Sequence, residues 1–209
     1  TAAVSATGSS GGSPAQTVNV EYWDGTNWTE GANVNTARYG KPGGAGISTS
    51  GLIFGGYINP GSPSVRAETE SWNGSSWTEV SDLNTARYNT TGDGSSNTSA
   101  LCFGGNTPPN TANTESWNGS SWTEVNDVNT ARYNAGGDGS TTSALFFGGN
   151  TGSKTTATEA WNADFPIGSY ATGGNLNTAR FGPAGLGIQT AALMAGGQAP
   201  PITGIVESY

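Results

Sequence analysis

The chain has 209 residues, enough for one substantial domain, and it is acidic: 15 Asp and Glu against 7 Lys and Arg give a formal charge of −8. So few cations exclude a long phosphate track, because affinity for nucleic acid rests on Lys and Arg displacing counterions, and neither DNA nor RNA is an expected partner. The lack of histidine removes Ser-His-Asp and Cys-His machinery and the usual zinc sets; no run of about 18 apolar residues is present to span a membrane, and no cofactor or metal is expected.

The predicted elements come in units. The first, approximately 1–36, opens on Ala2 to Thr7 with Gly8, read as a degenerate second strand, and runs through Glu21-Tyr22-Trp23 into a turn at Asp24-Gly25 before Trp28. The second, 37–85, has Arg38 within "NTARYG", the apolar run Leu52-Ile53-Phe54 closed by Gly55-Gly56, then Glu70-Ser71-Trp72 and Trp77. The third, 86–130, repeats this with Arg87, Leu101-Cys102-Phe103, Gly104-Gly105, Glu115, Trp117 and Trp122. The fourth, 131–178, has Arg132, Leu145-Phe146-Phe147, Gly148-Gly149, Glu159 and Trp161, with the region Phe165 to Tyr170 in place of a second Trp. The fifth, 179–209, has Arg180, Leu193-Met194-Ala195 and Gly196-Gly197, and reaches Glu207-Ser208-Tyr209.

The arginines at 38, 87, 132 and 180 are spaced 49, 45 and 48 residues apart. A strand-rich repeat of that period is the signature of a β-propeller, in which each blade buries a face against the next. Short apolar runs bounded by glycine read as buried second strands, and their Gly-Gly pairs are expected where strands crowd the central axis. Asn-Gly and Asp-Gly between aromatics read as the hairpin joining the third and fourth strands. The fold predicted is all-β: a single propeller of five blades of about four antiparallel strands. Its first blade is expected to lack the opening strand and its last the closing one. A larger ring with further blades outside this chain is the alternative.

The unit resembles a kelch repeat. That family has an arginine near the start of the first strand, a hydrophobic second strand ending in Gly-Gly, an aromatic in the third and a Trp in the fourth. Here those positions are Arg87, Gly104-Gly105, Trp117 and Trp122, with counterparts in the other units. The turn between the aromatics is shorter than in the usual pattern. The histidine-bearing copper site of kelch-like galactose oxidases has no counterpart in this sequence. The "WNGSSWTEV" and "NTARY" wording is also similar to repeats in surface and virion proteins of marine phages, which implies an extracellular or particle-surface location.

The repeated residues Arg38, Arg87, Arg132 and Arg180, with Glu70, Glu115, Glu159, Trp72 and Trp117, are expected to be structural: each arginine should pair with a third-strand glutamate, linking first and third strands or adjacent blades. Cys102 takes the place of Ile53 and Phe146 and is expected in the core. A lone thiol makes no intrachain disulfide. Asp93 and Asp138 lie in equivalent "GDGS" segments and are read first as turn residues. If the repeated positions hold the blades together, recognition belongs to the dissimilar connections after each Gly-Gly. The candidates there are Tyr57, Asn59, Arg66, Asn106, Asn110, Asn150, Lys154 and Gln198. The function expected is non-catalytic display on a virion, filament or cell surface, for adhesion, recognition of a glycan or protein surface, or structural decoration, with self-assembly through incomplete end blades as a further route. The alternative is a carbohydrate-active enzyme working with paired carboxylates on one propeller face.

Overall fold

The computed structural model describes residues 2–9, 16–58, 64–163, 168–198 and 206–208, and they hold strands and turns without a helix. The first sheet joins β1 (Ala3–Ser9), β2 (Gln16–Trp23) and β3 (Trp28–Glu30). In the second, β4 (Gly43–Ile47) and β5 (Ser50–Phe54) are followed by a ribbon of β6 (Tyr57–Ile58) and β7 (Ser64–Val65), then by β8 (Thr69–Trp72) and β9 (Trp77–Val80). The third comprises β10 (Thr91–Ser96), β11 (Ser99–Phe103), β12 (Thr114–Trp117) and β13 (Trp122–Val125). The fourth comprises β14 (Gly136–Gly139), β15 (Ser143–Phe147), β16 (Thr158–Asn162) and β17 (Ser169–Thr172). The last joins β18 (Ala184–Ile188), β19 (Ala191–Ala195) and β20 (Val206–Ser208). Apart from the β6–β7 ribbon, strand order follows the chain in each sheet, every pair is antiparallel, and the five sheets are the blades of a β-propeller.

The end blades are the three-stranded ones. Ala3 pairs with Trp23 as Ala100 pairs with Trp117, so β1 is a second strand and the first blade has no described strand on its axis side. In the last blade β18 is a first strand, and the described strands stop at the third.

Between blades, packing follows a relay in which one face of each second strand covers the opposite face of the next. Leu52 and Phe54 share a core with Ala100 and Cys102; Leu101 and Phe103 share one with Ala144 and Phe146; Leu145 and Phe147 share one with Ala192 and Met194. In β11 the alternation of a strand puts Leu101 and Phe103 on one side and Ala100 and Cys102 on the other, which is why the run is apolar throughout and fully buried. At the end of the relay the outer face of the last blade is uncovered: Leu186, Ile188, Leu193 and Val206 are 62, 60, 45 and 57% exposed.

Glycines set how closely the blades approach. The Gly-Gly pairs lie at the ends of the second strands and serve the crossing to the next blade, not the axis as the sequence suggested. Gly56, Gly105 and Gly149 donate their N–H groups to the Arg87, Arg132 and Arg180 carbonyls. Axial crowding falls instead on a Gly-x-Gly in each first strand, at 44–46, 92–94, 137–139 and 185–187. A Cβ on Gly92 would lie 2.5 Å from the Gly44 carbonyl oxygen, and one on Gly185 would lie 2.6 Å from that of Gly137. Asp93 and Asp138 occupy the middle of these motifs. They pair with Leu101 and Leu145 inside strands, which corrects their reading as turn residues: Asp-Gly here is part of an irregular strand in which Gly94 and Gly139 take positive φ.

Candidate binding rim

The words "NTAR" are a carboxylate clamp. In the third blade, Glu115 Oε2 accepts from the Asn84 N–H and Nδ2, and Oε1 accepts from the Thr85 N–H and from Arg87 Nη2 at 2.5 Å. Arg87 Nη1 donates onward to the Gly104 and Asn113 carbonyls. One buried side chain thereby pins the loop entering the first strand to the third strand of the same blade. The pattern recurs with Arg38 and Glu70 at 2.6 Å, Arg132 and Glu159 at 2.5 Å, and Arg180 and Glu207 at 2.7 Å. All four guanidiniums are fully buried. Burial pulls the pKa of Arg38 and Arg132 down, and the facing glutamate pulls each back up.

The indoles also join elements. Trp72, Trp117 and Trp161 donate to the Ser48, Asn97 and Thr141 carbonyls of the hairpin joining the first and second strands of their own blade. Trp77 and Trp122 reach back to the preceding blade, at the Ala32 carbonyl and Thr69 Oγ1. Tyr170 stands opposite Trp161, with ring centroids 5.0 Å apart, and so does the work of the missing second Trp; Phe165 lies outside the described residues. Cys102 is buried beside Thr90, and burial pushes its thiol up to about 11. Asn73 and Asn118 accept turn amides through Oδ1, as Asp24 does, and those bonds, the one from Asn27 first, lower its pKa.

With the arginines buried, the alternation of an extended chain turns the next residue outward: Tyr39, Tyr88, Tyr133 and Phe181. Each is bridged by backbone to the residue just after a Gly-Gly, namely Tyr57, Asn106, Asn150 and Gln198. Four of the predicted contact residues are thus equivalent positions at one end of the propeller. Tyr57 sits between Tyr39 and Tyr88, with centroids 5.3 and 5.2 Å apart. Burial, then the proximity of Tyr57, Tyr133 and Tyr39, raises the Tyr88 pKa, so the four tyrosines form one half-buried group. Asn106 Nδ2 donates to Asn110 Oδ1 at 3.2 Å, Asn110 Nδ2 approaches the Asn150 carbonyl at 3.5 Å, and Asn106 Oδ1 is buried without a partner. Beneath the tyrosines a chain of backbone bonds crosses from blade to blade: Asn89 N–H to the Gly40 carbonyl, Asn134 to Asn89, and Gly182 to Asn134, at 2.7–2.8 Å.

The remaining predicted contacts are less central. Arg66 is held by Glu68 at 2.6 Å, Lys154 is bridged to Asn150, and Gln198 is exposed at the far end. Asn59 lies outside the described residues. Sequence reasoning missed the tyrosines of "NTARY", though an aromatic directly after each buried arginine was a readable sign of a second, outward face. It also missed Lys41, whose Nζ donates to the Ala135 carbonyl at 2.6 Å and whose pKa burial lowers to about 8. Lys41 thereby ties the second blade to the fourth at the mouth of a cavity of about 180 Å³ that also touches Thr91, Gly137 and Pro183.

Asp93 and Asp138 form the other chemical feature. Each accepts its neighbouring glycine amide through Oδ1, at 2.7 and 2.9 Å, and each has a buried Oδ2 without a partner. Burial, and to a smaller degree the charge of Asp138, pushes Asp93 up to about 7; burial also raises Asp138. Among the described residues no cluster of three or more His, Cys, Asp or Glu has the arrangement of a metal site.

No family model and no curated protein matches the sequence. The fold is similar to the solved structure of YjhT, with a TM-score of 0.76 at 12% identity over 98% of this chain and 76% of that one. At that identity the likeness concerns architecture, and it does not reach the kelch family itself.

Proposed function

We propose that this chain is a kelch-like recognition module displayed on a virion, filament or cell surface, binding without catalysis. The single observation behind the reading is the division of labour within "NTARY". Every arginine of the motif is consumed by a glutamate inside the protein, and the adjoining aromatics gather with amides at one end. Half-exposed rings offer flat apolar faces, and asparagine side chains offer paired donors and acceptors. That combination suits the C–H face and hydroxyl groups of a glycan, and a rigid scaffold keeps the ordering cost of binding low. Glycan-array binding followed by titration of Tyr88→Ala tests it. Loss of binding with an unchanged melting temperature supports the reading; undiminished binding, or binding only to a protein surface, overturns the glycan assignment.

A carbohydrate-active enzyme is the second reading, and its candidate groups are Asp93 and Asp138, each with one buried carboxylate oxygen that has no partner. A pair of carboxylates can in general supply an acid together with a base or nucleophile. Release of product from a glycoside, abolished by Asp93→Asn and by Asp138→Asn, would replace the non-catalytic reading.

A further inference from the structure

The first blade carries the third-strand glutamate of the clamp without its clamp. Glu21 stands in the register of Glu115, since Trp23 pairs with Trp28 as Trp117 pairs with Trp122. Glu70, Glu115 and Glu159 are buried on an arginine and Glu207 is paired with one, whereas Glu21 is exposed and no cation reaches it among the described residues. The axis side of this blade is open as well. Gly92, Gly137 and Gly185 are each pressed by the blade before them, but a Cβ on Gly44 would meet nothing closer than the Leu52 carbonyl oxygen at 3.7 Å. Between β1 and β4 lies a groove of about 820 Å³, lined by Val4, Ala6, Gly44, Ile53 and Trp77 among others. Apart from Gly8, whose N–H donates to the Arg38 carbonyl at 3.3 Å, the backbone of β1 facing it is a strand edge with no paired strand among the described residues, the kind of edge that accepts an added strand.

We propose that this groove accepts an extended strand of a partner polypeptide with the chemistry of this chain's own first strands: an arginine five or six residues ahead of a Gly-x-Gly. The spacing is that of Arg38 to Gly44 and of Arg87 to Gly92. The arginine answers Glu21, the small residues fit the crowded side against β4, and the backbone completes the ladder on β1. The groove borders the tyrosine rim at Tyr39, and its charge recognition rests on Glu21.

The test uses the whole chain and a synthetic peptide with the sequence of residues 84–98, NTARYNTTGDGSSNT. Binding is followed by indole fluorescence, since Trp72 and Trp77 line the groove, and by mass. One peptide is expected per chain. Glu21→Gln in the protein, and alanine in place of the peptide's arginine, should each weaken binding about tenfold or more, the worth of one charge-assisted hydrogen bond. Glu30→Gln, which removes an exposed acid on the neighbouring strand, should leave it unchanged. Absence of binding, or binding indifferent to both changes, overturns the proposal. Self-association of the chain that the peptide does not displace would assign the groove to a second copy instead.

Discussion

The first and third blades are written in nearly the same words and end in different physical states. In the third, Glu115 and Trp122 are buried, because a first strand with Arg87 closes the blade from within and the second blade covers Trp122 through Thr69. In the first, Glu21 is exposed and Trp28 is 50% exposed. Trp28 still packs on Trp23, with centroids 5.6 Å apart, so the hairpin survives without a blade covering Trp28 and without a described first strand. The difference teaches that the repeat is not a self-contained unit. Its hairpin is local, while burial of its charge is conferred by the arriving first strand.

The strongest way to break this comparison is to remove a clamp where it is complete. Arg132→Ala strands Glu159 in a buried site, and losing one partner of a buried pair costs about 3–5 kcal/mol. A large fall in melting temperature is expected with rim binding preserved in the folded fraction; intact stability with lost binding would make the arginine a contact residue.

A second contrast sets two equivalent glycines against each other. Gly92→Ala drives a methyl group into the Gly44 backbone and should cost about 1–3 kcal/mol. Gly44→Ala points into the open groove and should be neutral, or stabilising by up to about 1 kcal/mol. Equal effects in denaturant melts would mean that the first blade's axis side is already filled.

Asp93 gives a smaller, pH-dependent effect. Its folded pKa of about 7 stands above the unfolded value of about 3.9, so the folded protein retains a proton that the unfolded chain has released. Stability should therefore fall as pH rises from about 4 through about 7 and level off above, by on the order of 1–3 kcal/mol given the side chain's partial exposure. Asp93→Asn should reduce this slope, leaving the part that Asp138 contributes in the same direction, and raise the melting temperature at pH 8 but not at pH 4. An unaltered slope would place the titration elsewhere.

Much of the architecture was legible because it is periodic. Gly-Gly at fixed intervals located the second strands, paired aromatics located the outer hairpins, and the ragged ends placed β1 and β20 in incomplete blades. The bottom of the third-to-fourth hairpin was readable from Asn73-Gly74, since Gly74 takes the positive φ such a turn demands. The first strands were less legible. Gly-x-Gly is neither apolar nor alternating, and its small residues answer the closeness of neighbouring blades, which no local pattern reports. For the same reason Asp93 and Asp138 passed for turn residues. At the rim, the variable loops drew attention through their differences, whereas the tyrosines were concealed inside a repeated word whose arginine had a sufficient structural explanation.

The most direct measurement compares Glu115→Gln with Glu21→Gln in equilibrium unfolding. Glu115→Gln leaves Arg87 buried without its counter-charge and should cost about 3–5 kcal/mol; Glu21→Gln, at an exposed site, should stay within about 0.5 kcal/mol. Equal losses, or a negligible loss at Glu115, would contradict the claim that buried arginine–glutamate clamps hold the blades together.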